Sequence, residues 1–380
     1  MSADVQYFDL TVSNAQGEQT KPIVFNYNQA RSTPFLQNPN EYFMSIIRFS
    51  ADTNTMPVII PTIKANSPDR DDTIYSVTLE YDTYAVQKYI QWVPQDKEAE
   101  IPRPPSENYN GLQNNTTGYY NCGDYSFFVL QMYRTLQQAY DELVLLTGLN
   151  GITLPSSHPP LVNWDSTLNQ LVLYADVEGY DLNPDLLGYV PIKLYFNTPL
   201  YNFFNTVPGV LQGYTVPTLG RNFLVGFSNV GGTNLQSIIP PNTTTSYRAI
   251  VVYQEASTTS NMSPIVGVVF TSTTLPIQSS QVSAPIVYYN GLPSQVGTSN
   301  DIQNVITDLI TDDLTYRSTV VYNPSAQYRL VQLYGSQPLV NLDMQLYFRL
   351  KDGTLQPLLI GLGGCVTVKI CFMKKYMAFK

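Results

Sequence analysis

Charge is what this sequence has least of. Asp, Glu, Lys and Arg make up 13% of its 380 residues, against about 25% in ordinary globular domains. The balance is −9, which excludes general binding of nucleic acid through a basic surface. The one basic cluster is the tail Lys374, Lys375 and Lys380, read here as a solvated end in preference to a contact for nucleic acid or a partner. Long apolar runs are also missing: none approaches the roughly 18 residues of a membrane span. Met1-Ser2-Ala3-Asp4 has neither a charged n-region nor an apolar h-region, so no secretory leader is expected. The sequons at Asn114, Asn115, Asn242 and Asn261 are then expected to go unused. Three cysteines, Cys122, Cys365 and Cys371, fit a reducing compartment. Cys365 and Cys371 would share one strand, six residues and roughly 20 Å apart, too far for a disulfide.

The residues that usually carry chemistry are equally scarce. A single histidine, His158, sits before Pro159-Pro160 and cannot build a histidine-rich zinc site. There is no C-x-x-C pair, no G-x-S-x-G elbow and no phosphate loop. Gly361-Leu362-Gly363-Gly364 precedes a strand pattern, so it presents no helix N-terminus to a phosphate and reads as a strand connection. Asp69-Arg70-Asp71-Asp72 clusters oxygens that calcium could use, but Arg70 and the lack of a downstream Glu favour a solvated turn. Cys122 as a nucleophile would need His158 as its base, and that reading is rejected. Nothing singles out a carboxylate pair for sugar hydrolysis. Trp92, Trp164 and the tyrosines could stack on sugars, as in a lectin; packing in the core and at interfaces is the preferred reading. No catalytic, cofactor-binding or metal-ligating residue is assigned.

What the chain does have is apolar content of 43%, enough for a core, and 29 tyrosines. Tyrosine gives much contact area at low entropic cost and is enriched where proteins meet, so about half of these are expected at interfaces.

The length exceeds one typical domain, and two domains or one with a large insertion are expected. The clearest pattern lies at the C-terminal end. Leu342, Met344, Leu346, Phe348 and Leu350 alternate with Asp343, Gln345, Tyr347, Arg349 and Lys351, the period of a strand with one buried and one wet face. Asp352-Gly353 suits a tight turn. Leu355–Ile360 is expected to return as a second strand, and Val366–Phe372 to add a third antiparallel one. Upstream, strands are expected around Phe8–Val12, Ile23–Tyr27, Tyr42–Phe49 and Ile74–Tyr81. Residues 94–123 read as one long exposed loop. The convincing helix runs from Tyr125 to Leu146, capped by Asp124, with Phe128, Met132, Leu136, Tyr140 and Leu143 on one face. Further strands are expected at 171–175, 190–196, 223–227, 247–254, 264–270, 285–289, 318–322 and 328–334. Asp301–Leu314 reads as a short helix or a loop. The regular short strands predict a mainly β chain, an antiparallel sandwich. Residues 1–85 and 246–380 are expected to share it, with 86–245 as an inserted α+β unit projecting from it.

Three stretches carry a resemblance. Thr33-Pro34-Phe35-Leu36-Gln37-Asn38-Pro39-Asn40 with Glu41–Phe49 resembles a near-N-terminal motif of penton or minor capsid proteins of virophages and polinton-like (adintovirus-like) DNA viruses. Tyr322-Asn323-Pro324-Ser325, Arg329–Leu333, Pro338–Tyr347, Asp352-Gly353, Pro357-Leu358 and Val368–Phe372 resemble their C-terminal signature. The middle, with Tyr195-Phe196-Asn197-Thr198-Pro199-Leu200-Tyr201, is similar more loosely, and the polar stretch 108–123 has no counterpart. The resemblance implies a single jelly roll, a homopentamer at icosahedral fivefold vertices, and a structural protein with no enzymatic role or cofactor. It implies the major capsid protein of the same virion as partner, possible contact with a fibre or receptor, no specific nucleic acid, and assembly inside the host cell. The alternatives are a double jelly-roll major capsid protein, a carbohydrate-binding sandwich on a vertex or fibre, and a glycoside-acting enzyme.

Overall fold

The computed structural model describes residues 4–14, 22–53, 55–95, 113, 115, 118–183, 188–212, 220–229, 231–241, 243–278, 287–289, 292–295, 304–310, 319–323, 329–351, 353 and 355–377. The chain forms two compact units. One comprises Met1–Val58, Gln95–Gly123 and Ser263–Lys380; the other comprises Ile59–Pro94 and Asp124–Met262.

Eight strands frame the first unit: β1 (Val5–Ser13), β2 (Asn26–Ala30), β3 (Tyr42–Asp52), β4 (Ile265–Thr271), β5 (Val305–Ile310), β6 (Thr319–Tyr322), β7 (Asn341–Leu350) and β8 (Cys365–Lys374). They make two sheets, ordered β1-β8-β3-β6 and β2-β7-β4-β5. Every neighbouring pair is antiparallel. First pairs with eighth, second with seventh, third with sixth and fourth with fifth. This nested winding is a jelly roll. Val331–Gln332 extends the β6 side of β3, and Leu355–Pro357 folds back on β7 beside β2.

The three closing strands do not form one sheet as expected. Leu355–Pro357 does return along β7 across a turn with Gly353 at φ +86°. β8 instead crosses to the other sheet, between β1 and β3. The reason is burial. Leu342, Met344, Leu346, Phe348 and Leu350 on β7 and Val366, Val368, Ile370 and Phe372 on β8 are all buried. Two apolar faces in one sheet would lie side by side, whereas in opposite sheets they close one core from both sides. Phe49 on β3 meets Phe270 on β4 at 5.2 Å between ring centres, nearly perpendicular, and Phe8, Phe35 and Phe372 form a second ring cluster.

Residues 305–310 form a strand, not the helix or loop expected for 301–314. Val305, Ile306 and Leu309 are buried, and pairing with β4 overrides a helical spacing only two turns long. Gly267 makes the pairing possible, since a Cβ there would lie 2.6 Å from the Leu309 carbonyl oxygen. Residues 94–123 are described only at 94, 95, 113, 115 and 118–123. That described end is packed away, not exposed: Tyr119, Tyr120 and Cys122 are buried, and the Val58 N–H donates to the Cys122 carbonyl at 2.7 Å.

The second unit is α+β. Its sheets run Gly209–Leu211, Phe223–Val225, Lys193–Phe196, Asp72–Tyr81, Tyr84–Gln91, and Leu235–Ile238, Tyr247–Tyr253, Gln170–Asp176, Leu161–Asp165. Helix α1 (Tyr125–Gly148) starts where expected, with Asp124 accepting from the Ser126 N–H at 2.8 Å. It packs on strands Tyr84–Gln91 and Leu161–Asp165, and its Phe128 joins Tyr75 and Phe203 in a ring cluster. The boundaries expected at 85/86 and 245/246 therefore move to 58/59 and 262/263. Tyr84–Gln91 pairs with Asp72–Tyr81, and Tyr247–Tyr253 with Gln170–Asp176, so the expected cuts would sever these ladders. This unit joins hairpins through longer-range pairings, Asp72–Tyr81 with Lys193–Phe196 and Tyr247–Tyr253 with Gln170–Asp176, and its described strands do not repeat the nested winding of the jelly roll.

Replacing Leu346 or Phe348 by Asp is expected to abolish soluble folding, because an unpaired carboxylate in this core costs several kcal/mol. Half-buried Gln345, replaced by Asp, is expected to lose about 1 kcal/mol or less. Soluble yield and urea midpoints of the three variants check this; equal behaviour would remove the burial argument.

Candidate assembly surface

The side chains with chemical potential are taken up by local structure. His158 stacks flat on Tyr247, 4.4 Å between ring centres. In the 69–72 turn, Asp69 accepts from the Asp71 N–H at 2.9 Å. Asp72 accepts from the Ser67 hydroxyl, and Gln91 donates to both carboxylates. Cys365 and Cys371 do share β8. The 361–364 turn joins strands, with Gly363 N–H donating to the Asn14 carbonyl and Asn14 N–H to that of Gly364, each at 3.0 Å. Lys374 pairs with Asp4 at 3.3 Å and Lys375 donates to the Asn40 side chain at 3.4 Å; Lys380 lies outside the described residues.

The aromatic residues are used inside the fold more than composition implied. Trp92 and Trp164 are buried, against Phe127 and Tyr125 respectively, so neither offers a face to a sugar. Among the tyrosines whose exposure is described, Tyr7, Tyr253, Tyr334 and Tyr376 are exposed, and the rest are buried or half-buried. With few charges, the fold employs phenol rings as packing groups whose hydroxyls reach backbone carbonyls. Tyr140 donates to Ser156 and Tyr180 to His158 in this way. In the second unit, buried Glu80 accepts from Lys193, Arg221 and Tyr195; burial, then the Glu80 charge, pushes Tyr195 up to about 12.

One carboxylate escaped the strand reading. Asp343 falls on the wet face by alternation, yet only 4% of it is exposed. It accepts from the hydroxyls of Ser272, Thr273 and Thr274, and from the N–H groups of Thr273 (2.8 Å) and Thr274 (3.0 Å). Burial alone would raise its pKa, but these bonds outweigh that and hold it at about 2. The residue clamps the turn after β4 to β7. The signal in the sequence was Ser272-Thr273-Thr274 directly after an apolar run.

On the outer face of the β1-β8-β3-β6 sheet, Asp9, Lys369 and Arg48 lie opposite one another on β1, β8 and β3. Asp9 pairs with Arg48 at 2.9 Å and with Lys369 at 3.4 Å. The strands ending this sheet, β1 and β6, expose Tyr7 (55%) and Val321 (63%). The other sheet ends in polar β2 and in β5, whose Asp308 pairs with Arg329 and Arg349.

With the jelly roll and these side-chain partners described, comparison with known proteins supplies the family. Residues 6–374 match the family described as Sputnik minor capsid protein V18/19. The chain belongs to this family. Of two similar proteins of the Sputnik virophage, uncharacterized protein V18 is 33% identical over 149 residues, 38% of this chain and 87% of V18. Structural protein V19 is 28% identical over 220 residues, 57% of this chain and 94% of V19. A chain of the Sputnik virophage, solved at 3.5 Å by cryo-EM, superposes with TM-score 0.79 at 27% identity, covering 99% of each chain. The mavirus penton protein superposes with TM-score 0.60 at 12% identity, covering 98% of this chain and 100% of its own; that likeness is one of fold. As a V18/19 family member the chain is a structural protein of a virus capsid, located in the virion. The expected family and the mainly β jelly-roll fold with an inserted α+β unit both hold. No described helix is long and apolar enough to cross a membrane.

For this capsid protein the Asp343 clamp makes a pH prediction. The carboxyl is lowered from 3.8 to about 2 on folding, so its contribution is full above pH 3.8 and is lost as pH falls through 2. The stability excess of wild type over Asp343→Asn is expected to shrink by about 2 kcal/mol between pH 5 and pH 2. Urea unfolding at several pH values measures it, and a constant difference would contradict an ionised clamp.

Proposed function

We propose that the chain is a penton subunit, five copies of which close a head-to-tail ring at the fivefold vertices of a small icosahedral DNA-virus particle. The observation that carries this is the end-to-end superposition on a chain of the Sputnik particle, in a fold also used by the mavirus penton protein. A single jelly roll with two unlike flanks suits a head-to-tail contact, and such contacts close into rings when the rotation fits. The mechanism is assembly, not catalysis: the chain acts by shape and lateral contact, and its ionisable groups serve its own fold. Its partners are its own copies and the major capsid protein of the same virion, with assembly inside the host cell. The inserted unit, 59–94 and 124–262, is the part we assign to fibre or receptor contacts. Specific nucleic acid and membrane insertion have no part in this reading.

Cryo-EM of particles carrying this chain tests it. Density for one copy per fivefold-related position at the vertices is the expected result. Finding the chain in the quasi-sixfold lattice, or as a trimer, would overturn the reading in favour of a major capsid role.

A further inference from the structure

The two ends of the β1-β8-β3-β6 sheet differ from the β5 edge of the other sheet. Edge strands expose unpaired backbone groups, and proteins guard them with charge, proline or bulges. β5 is guarded by Asp308 with Arg329 and Arg349. β6, by contrast, reads Thr319-Val320-Val321-Tyr322, β-branched and aromatic with no charge and no proline. β1, at the opposite flank, is nine residues long and regular along its pairing with β8. Its one charge, Asp9, is drawn inboard by Lys369 on β8 and Arg48 on β3, so it does not guard the outer edge. Lys369 also lies 5.5 Å from the centre of the exposed Tyr7 ring. Among the described residues the sheet thus ends in these two strands, one on each flank, with Asp9 as their one charge and that charge paired inboard.

We propose that β6 of one copy pairs with the free edge of β1 of the next, so that this sheet continues from subunit to subunit. The proposal rests on the ring reading above and adds the strands that meet. A head-to-tail ring needs two different, complementary surfaces on opposite sides of the subunit, and these two edges meet that need within one sheet. Edge addition supplies main-chain hydrogen bonds and a defined register. With Asp9 already neutralised, bringing Val321 against Tyr7, Asp9 or Thr11 buries no unpaired charge. Four residues of pairing are small against roughly 800 Å² per partner in a standard interface. The pairing therefore sets orientation and register, and the ring is stabilised by all its contacts closing together.

Cysteine cross-linking in assembled particles tests it. In a Cys365→Ser background, Val321→Cys is combined in turn with Tyr7→Cys, Asp9→Cys and Thr11→Cys. Directly opposite residues bring Cβ atoms to about 4.5–5.5 Å, close to disulfide range. One or two of the three pairs should therefore oxidise into ladders of up to five chains, and the third should not. Separately, Val321→Lys should weaken ring formation at least about tenfold, the scale of one lost interface anchor, while its melting curve stays that of wild type. Intact vertex rings that give no ladder from any pair, or that tolerate Val321→Lys, would sink the edge pairing and leave the ring standing. Wild-type particles with no ring of this chain at the vertex would sink the ring reading itself.

Discussion

The structure depends on the last strand pair of the jelly roll facing each other across the core. β7 lies between β2 and β4, and β8 between β1 and β3. Each sheet therefore lacks an inner strand until the final residues are in place. Val5 pairs with Met373, and Ala30 with Asn341, so the frame is held by contacts between the two ends of the chain. Such non-local pairing pays its loop-closure entropy before any contact rewards it, and it makes for slow folding. The benefit is a structure whose two ends are locked into one sandwich, suited to a part that must keep its shape in a shell.

That nesting also explains where the chain tolerates a second unit. The insertion occupies the link between β3 and β4, two strands that do not pair with each other, so it interrupts no strand pair of the jelly roll. Loop-closure entropy grows only with the logarithm of length, so a long link between two strands costs little more than a short one. Beyond this link, Asp343 fastens the far end of β4 by binding the turn just after it to β7. An aspartate does this better than an asparagine because all of its acceptor sites point at donors that would otherwise be buried without partners.

Low charge and abundant tyrosine turn out to describe the inside as much as the outside. Hydroxyl and amide groups hold positions that ion pairs hold elsewhere. Asn197 accepts from the N–H groups of Ser76 and Leu200 and donates to the Ile74 carbonyl, tying a strand to a helix start with one neutral side chain. The surface left over is polar but sparsely charged, and its exposed apolar groups include Tyr7, Ile310 and Val321 on strands and Leu130, Val144 and Leu145 on helix α1.

Much of the local structure was legible in the chain itself. The alternation over 342–350, the Gly353 turn and the capped helix after Asp124 are short-range patterns, set by side chains a few residues apart, and they fold as written. Even the reading of a discontinuous sandwich follows from local strand signals separated by a helical middle. What tertiary structure alone decided was the partner of each strand. The alternation of 366–372 says that one face is buried but not in which sheet. The answer came from Leu10, Phe49 and Ile46 on strands more than 300 residues upstream. The spacing of 302–310 suits a helix equally well, until β4 offers a ladder with Gly267 at its close approach. Asp343 looks solvent-facing until Ser272, Thr273 and Thr274 arrive from another strand to bind it. Periodicity records that a side is hidden; only packing settles what hides it, because burial is a property of pairs of surfaces and the sequence lists them one at a time.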